Sequence, residues 1–360
     1  MTSESIPTNP PAKKSSAINR KLLWRIASLV IALLLVSYML SRIQWSDFAA
    51  VLGRLSPLSV TAGFIVYLLL NLFRSFRYIA LLDNPELPVA KVYPISLYHN
   101  FFVRLLPFKL GEVVYIILMR NRLQVRTREG ISSLFGSRLL ELLVIVLVAA
   151  VSLLISGNFF EGNMLALTGV IMACIIGGLA GFYYSGSIIR ITMRIVRSLI
   201  KHPVVLKIAD KFDGLALELD KLHEPRIFLK GLFWSLFTYG CSFAVNAILL
   251  YSVGVIVDPF TLVMIVSLGM FATAFPFSIS GFGAVELSFA FGLTAFLGYS
   301  DSQATSIGLM INGLTLIYAG LSGFVGFLAV QWQEPEHDPD AEMTPWWQEI
   351  ISAGKAKLRG

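Results

Sequence analysis

Between Gly231 and Trp332 the chain carries no lysine and no arginine. A soluble domain needs charge to cover its surface, roughly 25% of its residues. A stretch this long without a basic side chain belongs in an apolar solvent. Apolar runs at about 229–253, 260–275 and 304–330 lie in or overlap this region, and others fall at about 22–40, 58–82, 139–156 and 164–184. Runs near 20 residues match the ~30 Å hydrocarbon core of a bilayer. The 360-residue chain as a whole is 56% hydrophobic and 14% charged, which excludes a soluble enzyme, a disordered chain and a disulfide scaffold.

The basic residues then orient the chain. They cluster in the N-terminal tail, in Arg120–Arg128 and over 190–230, whereas 157–163 has none. By the positive-inside rule both termini and the loops 120–138 and 186–228 are expected to be cytoplasmic, in a plasma (inner) membrane. Only Arg42 and Arg54 fall on the other side. This distribution accounts for the net charge of +7, and no nucleic-acid partner is expected. Residues 1–20 read as a disordered tail and 22–40 as an uncleaved signal anchor. One membrane domain is expected over 21–332, followed by a cytoplasmic tail over 333–360.

Two apolar segments, 94–118 and 276–298, are broken by Pro and Gly. Residues 83–93 and 120–130 are both assigned to the cytoplasm, so 94–118 must enter and return, or cross twice as short half-helices. The breaks share a pattern: Leu106-Pro107-Phe108-Lys109-Leu110-Gly111-Glu112, and Phe275-Pro276-Phe277 followed by Ser280, Gly281, Gly283 and Glu286. Pro removes a backbone donor and Gly permits turns. Broken helices persist at membrane depth only against protein or a water-filled cavity, and one such segment per half points to a transporter's central site. The expected fold is therefore an all-α polytopic membrane protein. It has about six full spans plus two Pro/Gly-broken, re-entrant helical segments in an inverted repeat.

Ionisable residues inside the membrane are functional candidates. Glu112 and Glu286 follow the two breaks, where a half-helix N-terminus favours an anion. Arg104, Lys109, Arg138, Arg74 and Arg77 are the cations nearby, and Arg138 lies three residues before Glu141 on one helix face. For Arg74 and Arg77 the simpler reading is snorkelling to the interface. Asn100 precedes the first break and is placed to bond freed backbone; His99 reads as structural. Gly177, Gly181, Gly320, Gly323 and Gly326 suit close helix packing.

Within 186–228, Val205, Ile208, Phe212, Leu215, Leu219 and Leu222 make one apolar helix face. Arg190, Arg194, Arg197 and Lys201 make a basic stripe beside Ile188, Ile191, Ile195 and Leu199, the pattern of a membrane-surface helix. Trp346, Trp347, Ile350 and Ile351 in the tail are a weaker version. Cys174 and Cys241 lie in apolar runs without ligands at metal spacing, and Asp338-Pro339-Asp340 sits in an acidic tail. No metal and no soluble cofactor are implied.

Taken together, Asn100 through Glu112, the Arg138-Leu-Leu-Glu141 span start and Pro276 through Glu286 resemble the membrane region of lysylphosphatidylglycerol synthases, a family of flippase-like membrane proteins. The resemblance covers roughly 20–330. The family's Pro-Gly-Arg reads Pro107-Phe108-Lys109 here, and its Arg-x-x-Asp reads Arg138 to Glu141. It implies the lipid-translocating half of such a synthase without its soluble aminoacyl-transfer domain. The partners implied are membrane lipids with anionic or aminoacylated headgroups. The residues it implies for substrate are Asn100, Arg104, Pro107, Lys109, Gly111, Glu112, Arg138, Glu141, Pro276, Ser280, Gly281, Gly283 and Glu286. A membrane-embedded glycosyl or lipid-modifying transferase, or a non-transporting partner docking through 186–228, are the alternatives. Homo-oligomerisation is left open.

Overall fold

The computed structural model of the chain describes residues 45–106, 110–156, 164–199, 203–274 and 284–333. Among these residues there is no strand. They form eleven helices: α1 (Trp45–Gly53), α2 (Pro57–Leu82), α3 (Val89–Leu105), α4 (Leu110–Leu123), α5 (Thr127–Ser156), α6 (Met164–Leu199), α7 (Pro203–Lys221), α8 (Pro225–Ser252), α9 (Pro259–Ala274), α10 (Ala284–Leu297) and α11 (Asp301–Gln331). Four of them, α2, α5, α8 and α11, are long and apolar enough to cross a membrane, and less than half of each is buried within the protein. At 1.5 Å per residue the shortest of the four, α2, reaches well past ~30 Å. Apolar side chains such as Ile65, Phe233, Leu321 and Phe324 stand exposed on their outer faces.

The helix ends follow local chemistry. Pro57, Pro225 and Pro259 stand first in α2, α8 and α9, where the missing N–H costs nothing. Asp258 caps α9 by accepting from the Phe260 and Thr261 amides, each at 3.0 Å. Ser300 caps α11 by accepting from Gln303 at 3.3 Å. Such caps are worth about 1 kcal/mol each. Leu106, the residue before Pro107, turns extended (φ −92°, ψ 134°) and ends α3, because the proline ring disfavours the helical region for its predecessor.

The sequence expectation for 94–118 thus resolves into two helices, α3 and α4. The run 139–156 is the C-terminal part of the longer α5. The run 164–184 continues without interruption through Leu199, so part of 186–228 belongs to α6. The apolar runs at 22–40 and in the tail, and the segment 275–283, lie outside the described residues.

Among the described helices, α2 and α8 share the most extensive contact, with Phe73 and Phe76 both stacked on Trp234. α3 packs on α11, and α9 packs on α5. The α3–α11 contact is so close that a Cβ on Gly326 would lie 2.6 Å from the Pro94 carbonyl oxygen. Gly177, Gly181 and Gly320, candidates of the same kind from sequence, have open space around them. Their packing role is therefore not to another part of the described chain.

α7 lies against α6 and is anchored to the bundle by Leu219 and Leu222, which pack on Leu81 and Leu140. Two members of the expected basic stripe point at α7: Arg190 pairs with Asp220, and Arg197 pairs with Asp210 and Asp213. Those arginines are engaged within the protein rather than left for headgroups. Ile188, Ile191, Ile195 and Leu199 remain exposed beside them.

Candidate functional site

A cavity of about 360 Å³ opens at the centre of the bundle, walled by α2, α3, α4, α5, α8, α9, α10 and α11. Pockets of ~300–1,000 Å³ are the range in which small ligands or headgroups bind. Its charged lining is Arg74 on α2, Arg104 on α3, Glu112 on α4, and Arg138 and Glu141 on α5. Residues separated by up to 67 positions are thus brought to one space.

The charges form a chain of pairs. Glu141 accepts from Arg77 at 2.7 Å and from Arg138 at 2.6 Å, one arginine on each carboxylate oxygen. Arg138 also reaches Glu112, Nε to Oε1, at 3.0 Å. Arg77 is fully buried, and its Nε and Nη1 have no hydrogen-bond partner. It does not snorkel to an interface; it sits behind the cavity wall. Arg74 donates to the Asn71 side chain at 2.9 Å and has no carboxylate within 4 Å among the described residues. Arg104 has no partner there either. Four arginines face two glutamates, both of them already engaged by Arg138.

Polar side chains fix this layer in place. Asn71 binds its own helix through Tyr67 O, and Ser75 bridges α2 to Ser96 on α3 at 2.9 Å. Asn100 donates to the Tyr67 hydroxyl, a side-chain partner in place of the freed backbone expected from sequence. His99 Nδ1 lies 3.1 Å from the Gly111 carbonyl. A carbonyl only accepts, so Nδ1 carries the proton and ties α3 to the first turn of α4.

Gly111 itself sits against the backbone of Phe102 and Val103, where an added Cβ would overlap main-chain atoms that cannot move aside. Gly111→Ala is therefore expected to prise α4 from α3, with a loss of thermal stability of about 1–3 kcal/mol in detergent. An unchanged unfolding midpoint would show that the hairpin has room to give.

The second half contributes no charge to the described lining. Thr238, Ser242 and Asn246 on α8, and Asn312 and Thr315 on α11, supply hydroxyls and amides instead. Glu286 is fully buried outside the lining and accepts from Asn312 at 2.7 Å. Pro107, Lys109, Pro276, Ser280, Gly281 and Gly283 lie outside the described residues.

α4 and α10 match in length, 14 residues each, and in the place of their glutamate, third in both. The shift that carries Leu110 onto Ala284 also carries Thr127 onto Asp301, Glu112 onto Glu286, Arg138 onto Asn312 and Glu141 onto Thr315. The Arg138–Glu112 and Asn312–Glu286 hydrogen bonds both bridge 26 positions. Sequence reading of the two Pro-Phe motifs missed this register because the unequal spacing lies upstream of the glutamates. The matching glutamate-to-donor separation was the available signal.

A bundle of long apolar helices around a cationic polar cavity is the build of a multi-pass integral membrane protein. A family model for the lysylphosphatidylglycerol synthase TM region matches residues 25–323. The chain belongs to that family. No curated protein and no solved structure matches it.

Proposed function

We propose that this protein moves a phospholipid or a lipid-linked polar headgroup between the two leaflets. The observation that carries this reading is the central cavity, where Arg74, Arg104 and Arg138 line a space enclosed by apolar helices. Charges in such a place are costly, and they mark substrate paths by default. Family membership supports a flippase-like protein of this kind.

The matching helix lengths and the paired Glu112 and Glu286 bonds support two repeated halves. With the orientation inferred from charge, one half is inverted relative to the other. In this reading 22–40, α2, α5, α6, α8 and α11 are the six full crossings. The α3–α4 and α9–α10 pairs enter and return, and both termini are cytoplasmic. Rocking of one half against the other would expose the cavity to each side in turn.

The test is translocation of headgroup-labelled lipids in proteoliposomes of the purified full chain. The panel holds neutral, anionic and aminoacylated phospholipids and a polyprenyl phosphate. One headgroup class should move faster than in protein-free vesicles, and Arg74→Gln/Arg104→Gln should lose about tenfold or more of that rate, a change of ~1.4 kcal/mol. Equal movement of every lipid in both proteins, or none above the protein-free rate, overturns the reading.

A further inference from the structure

The cavity is electrically lopsided, and the lopsidedness names a ligand. Among the described residues, the five charged lining residues all come from the first half of the chain, and the second half lines the cavity with uncharged groups. Register makes the contrast sharper: the positions matching Arg138 and Glu141 are Asn312 and Thr315, which also line the cavity. The same place in the repeat carries an ion pair on one side and an amide and a hydroxyl on the other.

On the first side, positive charge is in surplus. Both Glu141 oxygens are taken by arginines, and Glu112 is held by Arg138. Arg74 and Arg104 have no carboxylate partner among the described residues. A phosphate beside them would be met by forked, charge-assisted donors. An ammonium group entering the same space would meet a net positive lining, where both lining carboxylates among the described residues are already paired with arginine.

On the second side, the exposed capacity is mostly for accepting. Thr238 donates its hydroxyl hydrogen to Trp234 O at 2.8 Å, and Thr315 donates to Ile311 O. Asn246 donates to Ser242 O and Asn312 donates to Glu286. Both threonine hydroxyl hydrogens and one hydrogen of each amide are engaged locally, so the hydroxyl and amide oxygens remain as acceptors and each amide keeps a second N–H. Such a wall takes hydroxyl hydrogens.

Resting on the transport reading above, we propose that the cavity takes an anionic phosphate ester whose head is uncharged and hydroxylated, a polyol or a sugar. The phosphate sits at Arg74, Arg104 and Arg138, and the hydroxyls sit at Thr238, Asn246, Asn312 and Thr315. An aminoacylated, cationic head is rejected. This narrows the two headgroup types implied by the resemblance to one.

Equilibrium binding tests this without requiring transport. The purified full chain in neutral detergent is titrated with phosphatidylglycerol, its lysyl ester, phosphatidic acid, phosphatidylcholine and soluble glycerol phosphate, and intrinsic tryptophan fluorescence is read. Phosphatidylglycerol should bind at least about tenfold tighter than its lysyl ester and than phosphatidylcholine, a difference of ~1.4 kcal/mol. Thr238→Val/Thr315→Val should weaken phosphatidylglycerol severalfold and leave phosphatidic acid, which has the phosphate but no polyol, unchanged. Glycerol phosphate binding as tightly as the lipid would assign the same chemistry to a soluble ester. Equal or tighter binding of the lysyl ester, equal loss for both lipids in the variant, or no binding at all would overturn the proposal. Binding with this selectivity but no translocation would overturn the transport reading alone. Translocation of the lysyl ester would spare that reading and sink this one.

Discussion

Glu141→Ala is expected to destabilise the protein by about 3–5 kcal/mol, the usual loss when one partner of a buried ion pair is removed. Glu141 holds two arginines at once, Arg77 at 2.7 Å and Arg138 at 2.6 Å. Arg138 keeps Glu112 as a second partner. Among the described residues Arg77 keeps no other carboxylate, only the Tyr78 ring 5.9 Å away; it is fully buried, and two of its guanidinium nitrogens already lack a partner. The cost therefore falls on Arg77, and the remedy follows from that. Removing both charges in Arg77→Leu/Glu141→Leu should restore most of the loss, since replacing a buried pair by apolar groups is often neutral or better. Glu141→Gln keeps one acceptor oxygen and should fall between. Unfolding midpoints of the four proteins in one detergent provide the check. Equal loss in the double variant would mean that the pair itself holds the helices together, rather than Glu141 compensating a stranded cation.

This arrangement also shows where sequence reading runs out. Arg74 and Arg77 are three apart near one end of a long apolar helix, a pattern that snorkelling explains as well as burial does. Their fate is decided by α5, whose Glu141 arrives 64 positions later, and periodicity within one helix holds no record of a partner on another. By contrast, Asn100, Arg104, Glu112, Arg138 and Glu141 flank a Pro/Gly break or open a span. A cost that is visible locally, such as a broken helix or a charge in an apolar run, marks a residue in the sequence, and these five meet at the cavity. Thr238 and Asn246 were not legible for the opposite reason: each bonds a carbonyl of its own helix and so costs an apolar helix little. The all-helical build was legible from apolar run length. Helix boundaries were less so, as with α6, where nothing between the membrane run and the basic stripe interrupts the backbone ladder.

The second large effect belongs to one glycine. Gly326→Leu is expected to lower stability by at least about 1–3 kcal/mol, the range for overpacking, and to push the figure upward because the obstruction is backbone. A Cβ there would meet the Pro94 carbonyl oxygen at 2.6 Å, Leu97 Cβ at 2.9 Å and the Tyr98 amide nitrogen at 2.9 Å. Neither a carbonyl nor an amide of a packed helix can rotate away. The relief is to separate α11 from α3, and α3 carries Asn100 and Arg104 into the cavity wall. Ligand binding should therefore weaken along with stability, although Gly326 touches no part of the cavity. Gly320, less than two turns earlier on the same helix, has nothing within 4 Å of where its Cβ would be. Gly320→Ala should cost nothing and is expected to gain about 0.5–1 kcal/mol, since glycine is the poorer helix former. Unfolding midpoints and phosphatidylglycerol affinity, measured on both variants, separate the two cases. If both substitutions behaved alike, the close α3–α11 approach would not be what holds the first broken segment against the cavity.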